Sequence, residues 1–286
     1  MELEISEWVN ASDPANRSFR EAVHIILVAI SEDESLSMNM IMKGGLLMGI
    51  KYGSSRYTRD IDFSTSSLYS DFNPEEFSKS MDSALKVSSA SLGYNLRCLV
   101  QSLKVEPNER GTFPTLKVKV GYARKDNDRA IRNLDRKNSS DIVKIDYSFN
   151  EEAQSVQDLI LSDGETIKAY GLTELISEKY RSVLQQVVRD RARRQDIYDL
   201  SFLISNHSSG SDEEKYNVLE SLFRKSEGKG LEELLNKDAL SREDVYSRSK
   251  DDYESLKDDL AEKLPDFDVI YSKVRGYYES LPWEFF

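Results

Sequence analysis

One cysteine and two histidines are too few for several chemistries that a chain of this size could otherwise carry. Cys98 alone cannot close an intramolecular disulfide, which fits a reducing cytoplasm. It lies in an apolar, strand-like run and reads as a small core residue. His24 and His207 flank nothing catalytic in the sequence, which argues against a Ser-His-Asp triad or a zinc hydrolase. No apolar run approaches the roughly 18 residues that a membrane-spanning helix needs. The opening MELEISEWVN is acidic and amphipathic rather than basic and then apolar, so no secretory leader is expected. Positive charge is also in deficit: 39 Lys and Arg face 51 Asp and Glu, a net charge of -12. That excludes a broad basic surface for nucleic acid and leaves room only for a local patch.

What is present is enough to fold. The chain has 286 residues, 39% apolar and 31% charged, so it falls in the soluble globular class with a substantial core in one large or two modest domains. The most informative stretch is 43–64, KGGLLMGIKYGSSRYTRDIDFS. A short apolar run (39–42) leads into a Gly-Gly turn, a helix of about two turns, a basic loop and a strand carrying Asp60-Ile61-Asp62. Alternation along a strand aims Asp60 and Asp62 at one face, with Ile61 and Phe63 on the other. Two such carboxylates either line a solvated strand edge or share a cation, since like charges this close resist ionising together. Oxygen ligands without a nearby His or Cys favour Mg2+ over zinc. Gly44-Gly45 supplies the complementary half, because backbone N–H groups at a helix start bind phosphate.

Around this stretch the periodicities are readable. In 17–30, Phe19, Val23, Ile26, Leu27 and Ile30 form a helical core stripe with His24 partly buried beside it. The acidic and serine-rich 31–35 is expected to end that helix in solvent. Asn73-Pro74-Glu75-Glu76 is a helix start, with a cap, a first-turn proline and acids near the positive dipole end, running to about residue 88. Strands are expected at 96–105, 114–123 and 141–149, with 124–140 as a long exposed hairpin connection. In the second, Lys117 and Lys119 make the non-core face basic. In the third, Lys144 and Asp146 share a face opposite Val143, Ile145 and Tyr147. Lys144 either pairs with Asp146 or takes phosphate charge. A strand pair at 159–170 turns at Asp163-Gly164.

From Gly171 the pattern becomes helical. The stripe Leu172, Ile176, Val183, Val187 includes Lys179, and the next helix, from about residue 194, aligns Asp196 with Leu200 and Leu203. Opposite charges on two core-facing stripes imply either a buried ion pair or one polar site. Arg189 to Arg194 is the densest basic run, a candidate grip on phosphate through Arg191 and Arg194 or else a solvated helix flank. Helices are expected at 213–225, 230–236, 241–264 (capped at Ser241-Arg242-Glu243-Asp244) and 267–281, and the terminal PWEFF either docks aromatically or stays loose.

The spacing of Gly44-Gly45, fourteen residues (46–59), then Asp60-Ile61-Asp62-Phe63, resembles the first motif of the nucleotidyltransferase superfamily. YGSSRYTRDIDF, with Glu178-Lys179 and then Arg191-Ala192-Arg193-Arg194-Gln195-Asp196-Ile197-Tyr198-Asp199-Leu200, resembles its AbiEii/AbiGii-type toxin branch, over roughly residues 17–205. The resemblance implies an α/β (α+β) nucleotidyltransferase domain over 1–170, a mixed sheet flanked by helices, followed by a helical C-terminal domain over 171–286. It also implies an enzyme that uses Mg2+ to move a nucleotide from an NTP to an RNA acceptor, with the tRNA 3′ end foremost. The setting would be a cytoplasmic toxin-antitoxin system that arrests growth in phage defence, with a cognate antitoxin as partner. Asp146 would be the third metal carboxylate beside Asp60 and Asp62, Lys179 would contact the triphosphate and Asp196 would orient the nucleotide. Three acids can hold two cations, about 3.5–4 Å apart. Two departures stand out. Leu46 replaces the family's Ser or Thr, so a hydroxyl must come from Ser54, Ser55 or Ser64, or the backbone must serve. Gln195 stands where a basic residue is usual. The rival readings are a nucleotidyltransferase fold that binds a protein partner without chemistry, and a two-metal nuclease, which leaves the Gly-Gly turn without a purpose.

Overall fold

The computed structural model describes residues 2–3, 5–161 and 164–286. Asp163, half of the expected turn, lies outside the described residues. The chain forms two compact units: Met1–Lys51, Thr58–Glu152 and Val156–Ala169 make the first, and Tyr52–Tyr57, Ala153–Ser155 and Tyr170–Phe286 the second.

The first unit is built on a mixed sheet. Its strands are β1 (Glu2–Leu3), β2 (Ile41–Lys43), β3 (Asp60–Ser64), β4 (Leu96–Glu106), β5 (Thr115–Arg124), β6 (Ile142–Ser148), β7 (Val156–Leu161) and β8 (Thr166–Tyr170). Among the described residues they lie in the order β1-β7-β8-β2-β3-β6-β5-β4. Strand β3 runs parallel to β6 and antiparallel to β2, and β5 is antiparallel to both β6 and β4. The helices here are α1 (Ile5–Asn10), α2 (Pro14–Glu32), α3 (Glu34–Asn39), α4 (Gly44–Tyr52), α5 (Pro74–Ser91) and α6 (Asp128–Asp135). Helix α2 packs on α5, β4 and β6, and Ile25, Ile26 and Leu27, like Ile61, Phe63, Val143 and Ile145 of the sheet, are buried. The expected cap is in place, with the Asn73 side chain accepting from the N–H groups of Glu75 and Glu76. His24 is more buried than its position beside the stripe implied, and its Nδ1 lies 2.9 Å from the Tyr94 hydroxyl.

Two short helices were not expected in this unit. Helix α2 does end at Glu32 in a largely exposed stretch, as expected, but Asp33 Oδ1 then accepts from Leu36 N–H at 3.0 Å and starts α3, which buries Leu36. Residues 124–140 do connect the antiparallel β5 and β6 and are largely exposed, as expected, but the connection is not without structure of its own. Asn127 caps α6 by accepting from Ala130 N–H at 3.0 Å, and Leu134, fully buried, anchors that helix on β4 and β5. One apolar side chain among charged neighbours leaves a periodicity too weak to read in sequence.

In the second unit α7 (Leu172–Arg189) is followed by α8 (Asp196–Asn206), α9 (Asp212–Ser226), α10 (Glu243–Lys250) and α11 (Phe267–Glu279). Helix α7 is buried nearly all round, not along one stripe, because α8, α9 and α10 all pack against it. The expected helices at 230–236 and 241–264 shorten. The first is a single tight turn at Glu232–Leu234. The second breaks after Lys250, where Asp252 adopts φ 59, and the following 3-10 turn buries Tyr253 and Leu256. Ser241 is not the cap of α10; Arg242 stands there, and Ser241 Oγ donates to Glu279 instead. The terminal aromatics dock, with Phe286 stacked on Phe223 at 5.0 Å and Trp283 Nε1 donating to the Tyr278 carbonyl. Among the described residues no helix is long and apolar enough to cross a membrane.

The anchoring role of Leu134 carries an expected outcome. Leu134→Ala should lower the unfolding free energy by about 3 kcal/mol, read from urea unfolding, as for a fully buried leucine truncated to alanine.

Candidate active site

Register decides which side chains share a row. Asp62 pairs with Asp146 across β3 and β6, Asp146 with Lys117 across β6 and β5, and Lys43 with Asp62 across β2 and β3. The row therefore reads Lys43, Asp62, Asp146, Lys117. The row beside it reads Asp60, Lys144, Lys119. All project from the face opposite Ile61, Phe63, Val143 and Ile145, as alternation requires. Adjacent carboxylates repel, and the flanking ammonium groups offset this. Lys117 Nζ donates to Asp146 Oδ2, and Lys43 is ion-paired to Glu151. Lys144 Nζ stands 4.0 Å from Asp60 Oδ1, an oxygen that is buried and accepts no hydrogen bond among the described residues.

Helix α4 opens against these acids. Gly44 has φ +76, and a Cβ there would lie 2.1 Å from Asp62 Oδ2, so glycine is required on both conformational and steric grounds. Its absent side chain lets the Asp62 carboxylate reach the start of the helix. Gly45 follows in the first turn and is buried, and Leu46 is turned into the core at 2% exposure. Ser64 is fully buried, Ser54 Oγ accepts from Arg56 N–H, and Ser55 Oγ donates to Glu262 at 3.0 Å. The backbone N–H groups at the α4 start are thus the donors suited to an anion.

Lys179 and Asp196 fall in the second unit, and the ion pair wins over the open polar site. Lys179 Nζ donates to Asp196 at 3.0 Å and to Asp199 at 2.6 Å. Arg56 adds a two-pronged contact to Asp199, at 2.8 and 3.0 Å, and Arg193 Nε donates to Asp196 at 3.0 Å. Both carboxylates are fully buried, so each needs this compensation. Burial pushes the Asp199 carboxyl up, but Arg56 and Lys179 outweigh it and hold it below its ordinary range. Burial likewise lowers Lys179, and Asp196 with Asp199 overcome that and raise it. Of the basic run, Arg194 binds Ser255 and Asp259 (2.7 Å to the latter), while Arg191 is exposed. Sequence reasoning passed over Asp199, Arg56, Lys43 and Lys117 as site residues. The signal for Asp199 was its place three residues after Asp196, on the same helix face.

A family model described as nucleotidyl transferase AbiEii toxin, type IV TA system, matches residues 25–273. The chain belongs to this family. It is accordingly a member of the nucleotidyltransferase superfamily, and its type IV toxin-antitoxin family implies a cognate antitoxin. No curated protein matches it. The crystal structure of JHP933 from Helicobacter pylori has 15% sequence identity and a TM-score of 0.51, covering 95% of this chain and 93% of its own, which shows a shared fold. A second H. pylori crystal structure, provisionally assigned as a nucleotidyltransferase, has 15% identity and a TM-score of 0.46, with 94% and 96% covered. For this AbiEii-family chain, Asp60 and Asp62 fit a hard divalent cation. The donors are oxygens, one of them buried and accepting no hydrogen bond among the described residues, and Mg2+ ordinarily takes one or two carboxylates together with substrate phosphates. Among the described residues no group of three or more His, Cys, Asp or Glu is arranged around a metal position; Asp146, the register partner of Asp62, is ion-paired to Lys117.

Lys179→Met should destabilise the chain by about 3–5 kcal/mol, since it leaves buried carboxylates short of a cation. The pH dependence has two limbs. The Asp199 contribution is complete above about pH 4 and is lost as pH falls through its depressed folded-state value. The Lys179 contribution is complete below about pH 10 and is lost as pH rises through its elevated value. Stability measured by urea unfolding across pH should therefore show a shallower alkaline decline in Lys179→Met, the remainder coming from Lys225 and the buried tyrosines, whose folded-state values are also raised.

Proposed function

We propose that this AbiEii-family toxin is a Mg2+-dependent nucleotidyltransferase that moves a nucleoside monophosphate from an NTP to an RNA acceptor, with the tRNA 3′ end as the leading acceptor. The observation that carries the reading is the Asp62 carboxylate set against the glycine-opened start of α4, with Asp60 beside it. Asp60 and Asp62 would hold Mg2+, which when bound neutralises triphosphate charge and favours ionisation of the acceptor hydroxyl. The N–H groups at Gly44 and Gly45 would receive phosphate oxygens, and Lys144 and Lys117 add positive charge on the same sheet face. The acceptor oxygen would attack the α-phosphorus in line, pyrophosphate would leave, and the hydroxyl proton would pass to Asp146 once Lys117 turns to phosphate. Positioning and charge neutralisation supply most of the acceleration. Lys179 and Asp196, with Arg56 and Asp199, would orient the nucleotide-contacting segment, and the exposed Arg191 would meet phosphate ahead of Arg194, which is already paired. Growth arrest in phage defence, in the cytoplasm and under an antitoxin's control, is the role this activity fits.

A second reading, a fold that binds a partner without chemistry, draws on the Lys117–Asp146 ion pair and on Leu46. The test is incubation of the purified protein with Mg2+, each labelled NTP in turn and total RNA, resolved on a denaturing gel. Label should enter an RNA band with wild type and fall by about two to three orders of magnitude in Asp60→Ala/Asp62→Ala. EDTA should abolish it. Nucleotide binding with no transfer to RNA or protein would overturn the enzymatic reading in favour of the second.

A further inference from the structure

Helix α6 lies on the sheet face that carries the carboxylates. On β4, Cys98 is buried facing Ser89 of α5, so Arg97 and Gln101, an odd number of residues away, project to the other side. Arg97 Nη2 donates to Asp135 of α6 at 2.6 Å. Gln101 Nε2 donates to the Ser139 carbonyl at 3.2 Å, and its Oε1 accepts from Ser139 N–H at 2.6 Å. On β5, a Cβ at Gly121 would lie 2.7 Å from the Gln101 side chain, which puts Gln101 and α6 on the face of Lys117 and Lys119. The helix therefore stands over β4 and β5, next to the rows that carry Asp146 and Asp60, and all of these residues belong to the first unit.

The outer side of α6 is a stripe of arginine. Arg129, Arg132 and Arg136 recur at i, i+3 and i+7, opposite the buried Leu134. All three are exposed, and among the described residues none makes an ion pair. Residues 124–140 hold six Lys and Arg against three Asp, in a chain of net charge -12. The exposed Lys119 is the register partner of Lys144, which stands 4.0 Å from Asp60 Oδ1. Positive charge thus runs from the acids across β6 and β5 to α6.

Such a strip fits a repeated anion. Its arginines span about 10 Å of helix axis, the length of about three phosphates of one nucleic-acid strand. Each guanidinium can fork-pair with one phosphate. An acidic protein would meet the same charge but no apolar ground, since none of the large exposed apolar side chains lies on α6, β5 or β6. We infer that α6 grips the backbone of the acceptor RNA, holding phosphates upstream of the 3′ end while the end itself reaches Asp60 and Asp62. The direction of the strand rests on the transferase reading; the binding rests on the arginine stripe.

The test is fluorescence anisotropy of labelled bulk transfer RNA with the full chain, in EDTA and without NTP, over a range of salt. Arg129→Gln/Arg132→Gln/Arg136→Gln should weaken binding at least tenfold. It should also lower the slope of log affinity against log salt by about two to three, as expected for three phosphate contacts. Its urea midpoint should match wild type. The control Lys237→Gln/Lys257→Gln/Lys273→Gln removes the same charge from exposed positions of the second unit and should leave affinity and slope nearly unchanged. In the transfer assay the arginine variant should raise the KM for RNA about tenfold and leave kcat near wild type. Undiminished affinity in the arginine variant, an equal loss in the lysine control, or no RNA binding by wild type would overturn the inference. Polyglutamate binding more tightly than RNA would overturn it too, assigning the strip to an acidic protein. RNA binding lost in the arginine variant, with no transfer by wild type, would uphold the strip and overturn the transferase reading; transfer with an unaltered KM in that variant would do the reverse.

Discussion

Two aspartates held side by side on parallel strands form an arrangement that folding by itself opposes. Asp62 and Asp146 are register partners on β3 and β6, and Asp60 lies one pleat repeat away. Like charges so near repel one another. The first unit answers with geometry: lysines stand at both ends of the row, and the acids keep partial access to water while the apolar halves of the same strands are sealed beneath them. One pleat thus serves two purposes. Its buried side supplies the hydrophobic stabilisation, at roughly 25 cal/mol per Å² of apolar surface, that lets its other side hold charge poised for a ligand.

The second unit treats charge in the opposite manner. Asp196 and Asp199 are removed from water altogether, and Lys179, Arg56 and Arg193 close around them. Such a network adds little net stability relative to an apolar core, yet removing any member leaves an uncompensated charge. In the observed registration of α7 and α8 one ammonium serves two carboxylates. Arg56, from the short segment Tyr52–Tyr57 that belongs to this unit, joins the arrangement through a bidentate contact to Asp199.

Much of the first unit was legible because its signals are local. The helix start at Asn73-Pro74, the alternation of Leu116, Val118 and Val120 against Lys117 and Lys119, and the Gly-Gly to Asp-x-Asp spacing each occupy one element, and all appear where the residues imply. Helices α3 and α6 escaped notice because each rests on one capping side chain and one buried leucine, too few points to define a period. Helix α7 misled for the converse reason: a helix enclosed by three others loses its polar face, and a single stripe no longer describes it. The break at Asp252 replaced an expected long helix because burial of Tyr253 and Leu256 required the chain to turn.

By itself the sequence determined strands β3 to β8, the helical character after Gly171, the pair of acids on β3 and the family to which the chain belongs, since alternation, helix capping and motif spacing act between residues that are near in sequence; the short β1 and β2 carry too few residues to show a period. Only the tertiary structure decided which lysine faces which aspartate, why Gly44 tolerates no side chain, and that Lys179 spends its charge inside the protein. Strand register and helix packing set those outcomes. Both are long-range: Lys117 and Asp146, or Lys43 and Glu151, become neighbours only once the whole sheet has aligned to bury its apolar face.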